Sequence, residues 1–152
     1  MLCWRGPFYT ILPRIVVLLL QILYVHRVAL LLVEEGSPEP VAKVVRSRKA
    51  MSETDSFFSR SIVRHVFERG EGLVSDDALV DPRFAGSATI AGEFIRSSMA
   101  APLKIGDRIL GVLYVDTLSP FKQFDRDQLR LFSSLGNIAS GHIQRLVELR
   151  VD

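Results

Sequence analysis

The one carboxylate cluster in this 152-residue chain is Asp76, Asp77 and Asp81, followed by two arginines, Arg83 and Arg96. Grouped carboxylates can hold a cation or bind ligand hydroxyls. Arginine grips carboxylates and phosphates through a planar fork. The same residue types also end strands, cap short helices and pair with one another, and capping is the favoured reading of the aspartates. The three histidines, His26, His65 and His142, are far apart and none has His or Cys at helical spacing, so no zinc or iron site is expected. His65 reads as a surface residue and His142 as a residue at a helix–helix contact. The single cysteine, Cys3, excludes an internal disulfide, a thiolate zinc site and an iron–sulfur cluster, and its terminal position makes it a poor nucleophile. Gly70-Glu71-Gly72 is too short for a phosphate loop or a dinucleotide turn and reads as a helix stop. No nucleophile elbow occurs. The basic cluster Arg46, Arg48, Lys49 reads as solvated. These residues give no catalytic constellation, no metal site and no cofactor.

Composition narrows the class further. Hydrophobic residues make up 48% and charged residues 24%, which suits one globular domain and excludes a disordered chain. The 19 basic and 17 acidic residues leave a net charge of +2, too balanced for a dedicated nucleic-acid surface.

The elements that must position any site follow from periodicity and punctuation. Arg27–Glu34 is a short apolar run and reads as a strand buried on both faces. Gly36, Pro38 and Pro40 mark a turn, and Val41–Ser47 is the next strand. Met51–Ser56 reads as a loop. Ser59 or Ser61 caps a helix to about Arg69, with Ile62, Val63, Val66 and Phe67 on one face. Leu73–Asp76 is a short strand. Ala78–Phe94 carries mixed signals and reads as a long connection, of the kind that forms lids and pocket walls. Ser97–Ile105 and Arg108–Asp116 flank Gly106-Asp107 and read as a hairpin, the second strand central and covered on both sides.

Asp125 or Asp127 then starts a helix running close to Asp152. One stripe on it holds Leu129, Phe132, Gly136, Ala139, Ile143 and Leu146. A second holds Leu131, Leu135, Ile138, His142 and Leu149, and is available to a second chain. The order gives an α+β domain with a mostly antiparallel sheet between helical layers.

The N-terminus stands apart. Ile11–Val25 is apolar on all sides, yet Pro13, Arg14, Gln21 and His26-Arg27 interrupt it, so it is too short to span a bilayer. The favoured reading is a first helix buried by the domain or by a partner chain. Membrane contact and a signal peptide are the alternatives, the latter without a small-residue cleavage site. Residues 1–26 are therefore set apart as an apolar helix, and 27–152 as the domain proper.

Three segments, in order, resemble a known family. Ser59–Phe84 (SRSIVRHVFERGEGLVSDDALVDPRF) is similar to the helix, strand and Asp-Pro-Arg-Phe connection of bacterial GAF modules. Ile95–Thr117 (IRSSMAAPLKIGDRILGVLYVDT) matches their paired strands, and Phe124–Gln144 (FDRDQLRLFSSLGNIASGHIQ) their closing helix. The chain is similar to GAF modules joined to FHA domains, nucleotide cyclases, phosphatases or enhancer-binding activators. The resemblance implies a GAF- or PAS-like fold with a six-stranded antiparallel sheet and helices on both faces. It implies a pocket between the sheet and the irregular connection, lined by Asp77, Phe84, Ile90, Ser98 and Tyr114. Departures count as well. Asp116-Thr117 and Gln128-Leu129 replace the Asn-Lys and Asp-Glu of cyclic-nucleotide binders, although Phe124 is kept. The pocket cysteine of bilin binders and the catalytic cysteines of methionine sulfoxide reductases are missing.

The leading expectation is a cytoplasmic, non-catalytic sensory domain. It would form a homodimer through its terminal helices, bind an unknown small molecule and control an output domain, with no nucleic acid or membrane as partner. The alternative is a ligand-free interaction and dimerisation module. An enzyme is the third reading, and no constellation supports it.

Overall fold

Local chemistry sets the ends of the elements. In a computed structural model, residues 7–23, 25–48, 58–76, 97–117 and 124–151 are described. They form α1 (Pro7–Leu23), β1 (Arg27–Leu32), β2 (Val41–Ser47), α2 (Arg60–Arg69), β3 (Leu73–Asp76), β4 (Ser97–Ile105), β5 (Arg108–Thr117) and α3 (Arg126–Val151). Ser59, not Ser61, caps α2: its hydroxyl accepts from the Ile62 amide at 3.3 Å. Gly70 closes that helix in the left-handed conformation at φ 67° and donates to the Val66 carbonyl. Asp125, not Asp127, starts α3 through a reciprocal capping box. The Gln128 amide donates to the Asp125 carboxylate at 2.8 Å, and the Asp125 amide donates to the Gln128 side chain at 2.9 Å.

The sheet is antiparallel throughout, in the order β2-β1-β5-β4-β3. The central place expected for β5 is the observed one, and β1 beside it is buried along its whole length. This is the α+β GAF-like class expected from the sequence. Five strands lie among the described residues, where the resemblance implied six. The Met51–Ser56 loop and the connection Ala78–Phe94 lie outside them.

Strand alternation divides the core into two layers. Val28, Leu30, Met99, Ala101, Leu113 and Val115 face α1 and α3. Ala29, Leu31, Ala100, Val112 and Tyr114 face α2. The first-helix segment does not behave as uniformly apolar. Leu12, Val16, Leu19 and Leu23 repeat at helical spacing and enter the core beside Phe132, Ala139 and Ile143 of α3. Val17, Leu18 and Ile22 stay on the outer side of α1. The end of α1 is held by Arg48, whose guanidinium donates to the carbonyls of Leu20 and Val25. That gives one member of the basic cluster a structural task.

Gly111 pairs with Leu32 where β5 runs beside β1. A methyl group built there would lie 1.9 Å from the Leu31 carbonyl oxygen, a backbone atom that cannot swing aside. Gly111→Ala is therefore expected to push β1 and β5 apart. Denaturant unfolding should show a loss of about 2–3 kcal/mol, with a melting point lower by roughly 5–10 °C.

Candidate functional site

Cross-strand register builds the most unusual feature of the sheet. Ser47, Arg27, Asp116, Ser98 and Ser75 stand opposite one another on consecutive strands, β2 to β3. Paired residues of antiparallel strands project to one face, so the five form a polar row across the whole sheet. They share the α2 face with Ala29, Tyr114 and Ala100 of the next row. A face that is otherwise apolar thus ends in a line of hydroxyls and charges. Arg27 is 5% exposed, and Asp116, Ser98 and Ser75 are fully buried.

Charge pairing makes that burial tolerable. The Arg27 guanidinium donates to Asp116 through Nη2 at 2.9 Å and Nε at 3.1 Å, both to Oδ2. The Tyr114 hydroxyl donates to the same oxygen at 2.6 Å. Removing one partner of such a pair typically costs about 3–5 kcal/mol, because the other charge stays buried and unmatched. Burial pushes the Tyr114 phenol well above its ordinary pKa, and the neighbouring Asp116 charge and hydrogen bond push it further. The Arg27 charge and the Ser59 backbone pull weakly the other way. Tyr114 therefore stays a neutral donor to Asp116. Its ring meets Phe58 at a centroid distance of 6.2 Å, which ties the segment leading into α2 to the sheet.

Ser98 is the exception in the row. Its hydroxyl is buried and has no hydrogen-bond partner. An unmatched hydroxyl in such a place costs about 1–3 kcal/mol.

The same sheet end carries the roots of both long helices. His26 Nδ1 and the Thr117 hydroxyl lie 3.0 Å apart, and the His26 amide donates to the Asp116 carbonyl at 3.0 Å. The Phe124 amide, just ahead of α3, donates to the Ser97 hydroxyl at 3.4 Å. A cleft of about 420 Å³ opens at the other end of β1 and β2, between the β1–β2 turn and the start of α2, with Glu39, Pro40, Phe58, Arg60 and Arg64 among its walls. Phe58 is common to the cleft and to the Tyr114 contact.

Of the expected pocket residues, Ser98 and Tyr114 share this face, two rows of one corner. Asp77, Phe84 and Ile90 lie outside the described residues, as do Asp81, Arg83 and Arg96. Asp76 closes β3 opposite Ser97. On α3, Leu131, Ile138 and His142 are exposed, whereas Leu135 is half-buried and packs against the core, a correction to its expected place on the free stripe. The side chain of Leu149 lies outside the described set. Among the described residues no group of His, Cys, Asp and Glu could hold a metal. No described helix is long and apolar enough to cross a membrane.

The Arg27–Asp116 pair escaped residue-by-residue reading. Its signal was present: opposite charges at matching ends of two strands that both read as buried.

Tyr114→Phe removes one donor from the Asp116 carboxylate and should cost about 1–3 kcal/mol in urea unfolding at neutral pH. The pH dependence has a defined sign. The folded phenol holds its proton where the unfolded one releases it, above about pH 10. Tyr114 thus contributes stability that is complete below that point and lost as pH rises. Unfolding at pH 8 and pH 11 should show a smaller alkaline loss in Tyr114→Phe than in the wild-type chain.

Comparison with known proteins agrees with this architecture. No curated protein matches in sequence. The second GAF domain of DevS from Mycobacterium smegmatis superposes with a TM-score of 0.71 at 16% identity, covering 93% of this chain and 96% of that one. The GAF domain of a phosphoenolpyruvate-protein phosphotransferase from Coxiella burnetii gives 0.73 at 18% identity, covering 92% and 84%. Free methionine-R-sulfoxide reductase from Neisseria meningitidis, solved with its substrate, gives 0.70 at 22% identity, covering 90% and 77%. At these identities the likeness establishes the fold. The GAF domain family model matches residues 8–143. From α1 through most of α3, therefore, this chain belongs to the GAF domain family.

Proposed function

We propose that this chain is a non-catalytic sensory module that binds a small molecule on the α2 face of its sheet. It pairs with a second copy through α1 and α3, and it passes the bound state to an output domain. GAF domains are regulatory sensory domains of signalling proteins. The observation that carries the reading is the buried polar row, which ends an otherwise apolar sheet face with one hydroxyl left unmatched.

Dimerisation is supported by where the exposed apolar side chains lie. Val17, Leu18 and Ile22 on α1 and Leu131 and Ile138 on α3 are 42–61% exposed, all on the helical layer opposite the polar row. A second copy would cover them as a homodimer. Transmission would use the sheet end where His26, Thr117, Ser97 and Phe124 tie both helices to the strands of the row. Ligand binding can shift helix pairing only by favouring one arrangement over the other. The non-catalytic assignment rests on the sequence, whose single cysteine is Cys3. A cytoplasmic location goes with this role.

Two measurements test the reading. Thermal melting against cyclic nucleotides, nucleotides and small metabolites should give one class a shift of roughly 5–10 °C at a hundredfold excess over its dissociation constant. A flat panel would favour the ligand-free interaction module instead. In sedimentation velocity, Leu131→Glu with Ile138→Glu should turn a dimer into a folded monomer. A double variant that still dimerises would sink the helical interface. Leu135 is left unchanged in this test because it packs against the core.

A further inference from the structure

We propose that the cleft at the start of α2 is a second binding site, and that it takes a small molecule joining an anionic group, carboxylate or phosphate, to an apolar body. Arg60 and Arg64 hold the anion, and Glu39 competes with it for Arg64. The cleft lies at the turn end of β1 and β2, whereas Arg27, Asp116 and Ser98 lie at the opposite end of the sheet. The site is thus separate from the polar corner, and its test stands apart from that reading.

The first ground is the cleft itself. Its volume of about 420 Å³ suits a small organic ligand. Pro40, Phe58 and Val63 supply apolar wall, and Pro40 and Val63 are buried. The charged groups come from two elements: Arg60 and Arg64 from α2, and Glu39 from the segment leading into β2. An apolar body with one charged end matches this lining. Its hydrocarbon can lie against the apolar wall while its anion meets the guanidinium groups.

The second ground is the placement of the two arginines. Arg60 is the first residue of α2, and Arg64 follows one turn later, so both lie on one face of the helix. Cations are disfavoured at a helix N-terminus, and like charges four residues apart repel. No acidic residue stands in the first turn of α2 to offset them. Arg64 meets Glu39 through Nε and Oε1 at 2.8 Å, a single contact rather than a two-pronged grip. Arg60 lines the same cleft and makes no ion pair with a described residue. Two locally unfavourable cations kept at the wall of one cleft mark a functional position. A bound anion would offset both penalties, since it has the sign that the helix end favours and it screens the two charges from each other. The guanidinium fork grips carboxylate and phosphate alike.

The test is a nuclear magnetic resonance titration of the isotope-labelled full chain, read at the Nε–H signals of Arg60 and Arg64. Four probes separate the two halves of the ligand: benzoate and phenyl phosphate carry both, benzamide lacks the charge, and inorganic phosphate lacks the apolar body. Benzoate or phenyl phosphate should shift both signals to saturation, and the tighter binder of the two names the preferred anion. Benzamide and inorganic phosphate should each bind roughly tenfold more weakly. Arg60→Gln should weaken anion binding roughly tenfold. Glu39→Gln should strengthen it about two- to fivefold, because Arg64 loses its competitor. Arg60, Arg64 and Glu39 all reach solvent, and unchanged backbone signals from β1 and β5 show that each variant keeps the fold. Equal binding of benzamide, equal binding by Arg60→Gln, or unchanged or weaker binding by Glu39→Gln overturns the proposal. So does a panel in which no probe gives a saturable shift.

Discussion

The contact between Arg27 and Asp116 decides more of this structure than its size suggests. The two side chains stand opposite each other on the central strand β5 and its neighbour β1, at the end of a sheet whose faces are otherwise mostly filled with Leu, Val, Ala and Met. Because side chains alternate across a strand, slipping either strand by one residue would carry its charge to the face covered by α1 and α3 and leave the partner charge buried and unmatched on the α2 face. The register of β1 on β5 is thereby pinned. With it are pinned the rows that carry Tyr114 and Ser98, and the point at which α1 leaves the sheet. Hydrophobic burial supplies most of the driving force for folding, but a core of similar aliphatic side chains discriminates poorly between neighbouring registers. A paired charge tolerates only one.

The two faces of the sheet differ in chemistry. The α1/α3 face is apolar, with Phe132, Val16 and Leu30 among the buried side chains, and its polar links lie at the margins. The α2 face is covered by a short helix and is polar at one end. The polar corner holds groups whose demands the fold does not wholly meet, Ser98 among them.

Methionine sulfoxide reductase from Neisseria shares this fold, which illustrates that chemistry is grafted onto a scaffold rather than implied by it. In the present chain Arg27, Tyr114 and Asp116 satisfy one another at the corner of the sheet.

Much of this was legible in the residues alone. Alternation and turn chemistry placed all five described strands, because a strand's buried faces and its Gly or Pro boundaries are local properties. Ser59, Gly70 and Asp125 could be read as helix ends for the same reason: caps act within four residues. Ser98 and Tyr114 were named together through the family resemblance, and cross-strand register puts both on the α2 face of the sheet. The sequence could not show that Arg27 meets Asp116, since 89 positions separate them and only strand order joins them. Nor could it show that α1 is one-sided, because Leu18 at 55% exposure and Leu19 at 4% are the same residue type on opposite sides of a helix. Composition and periodicity determine which residues seek burial. Which of them obtain it, and which polar groups are carried in with them, depends on long-range pairing and is decided only when the tertiary structure forms.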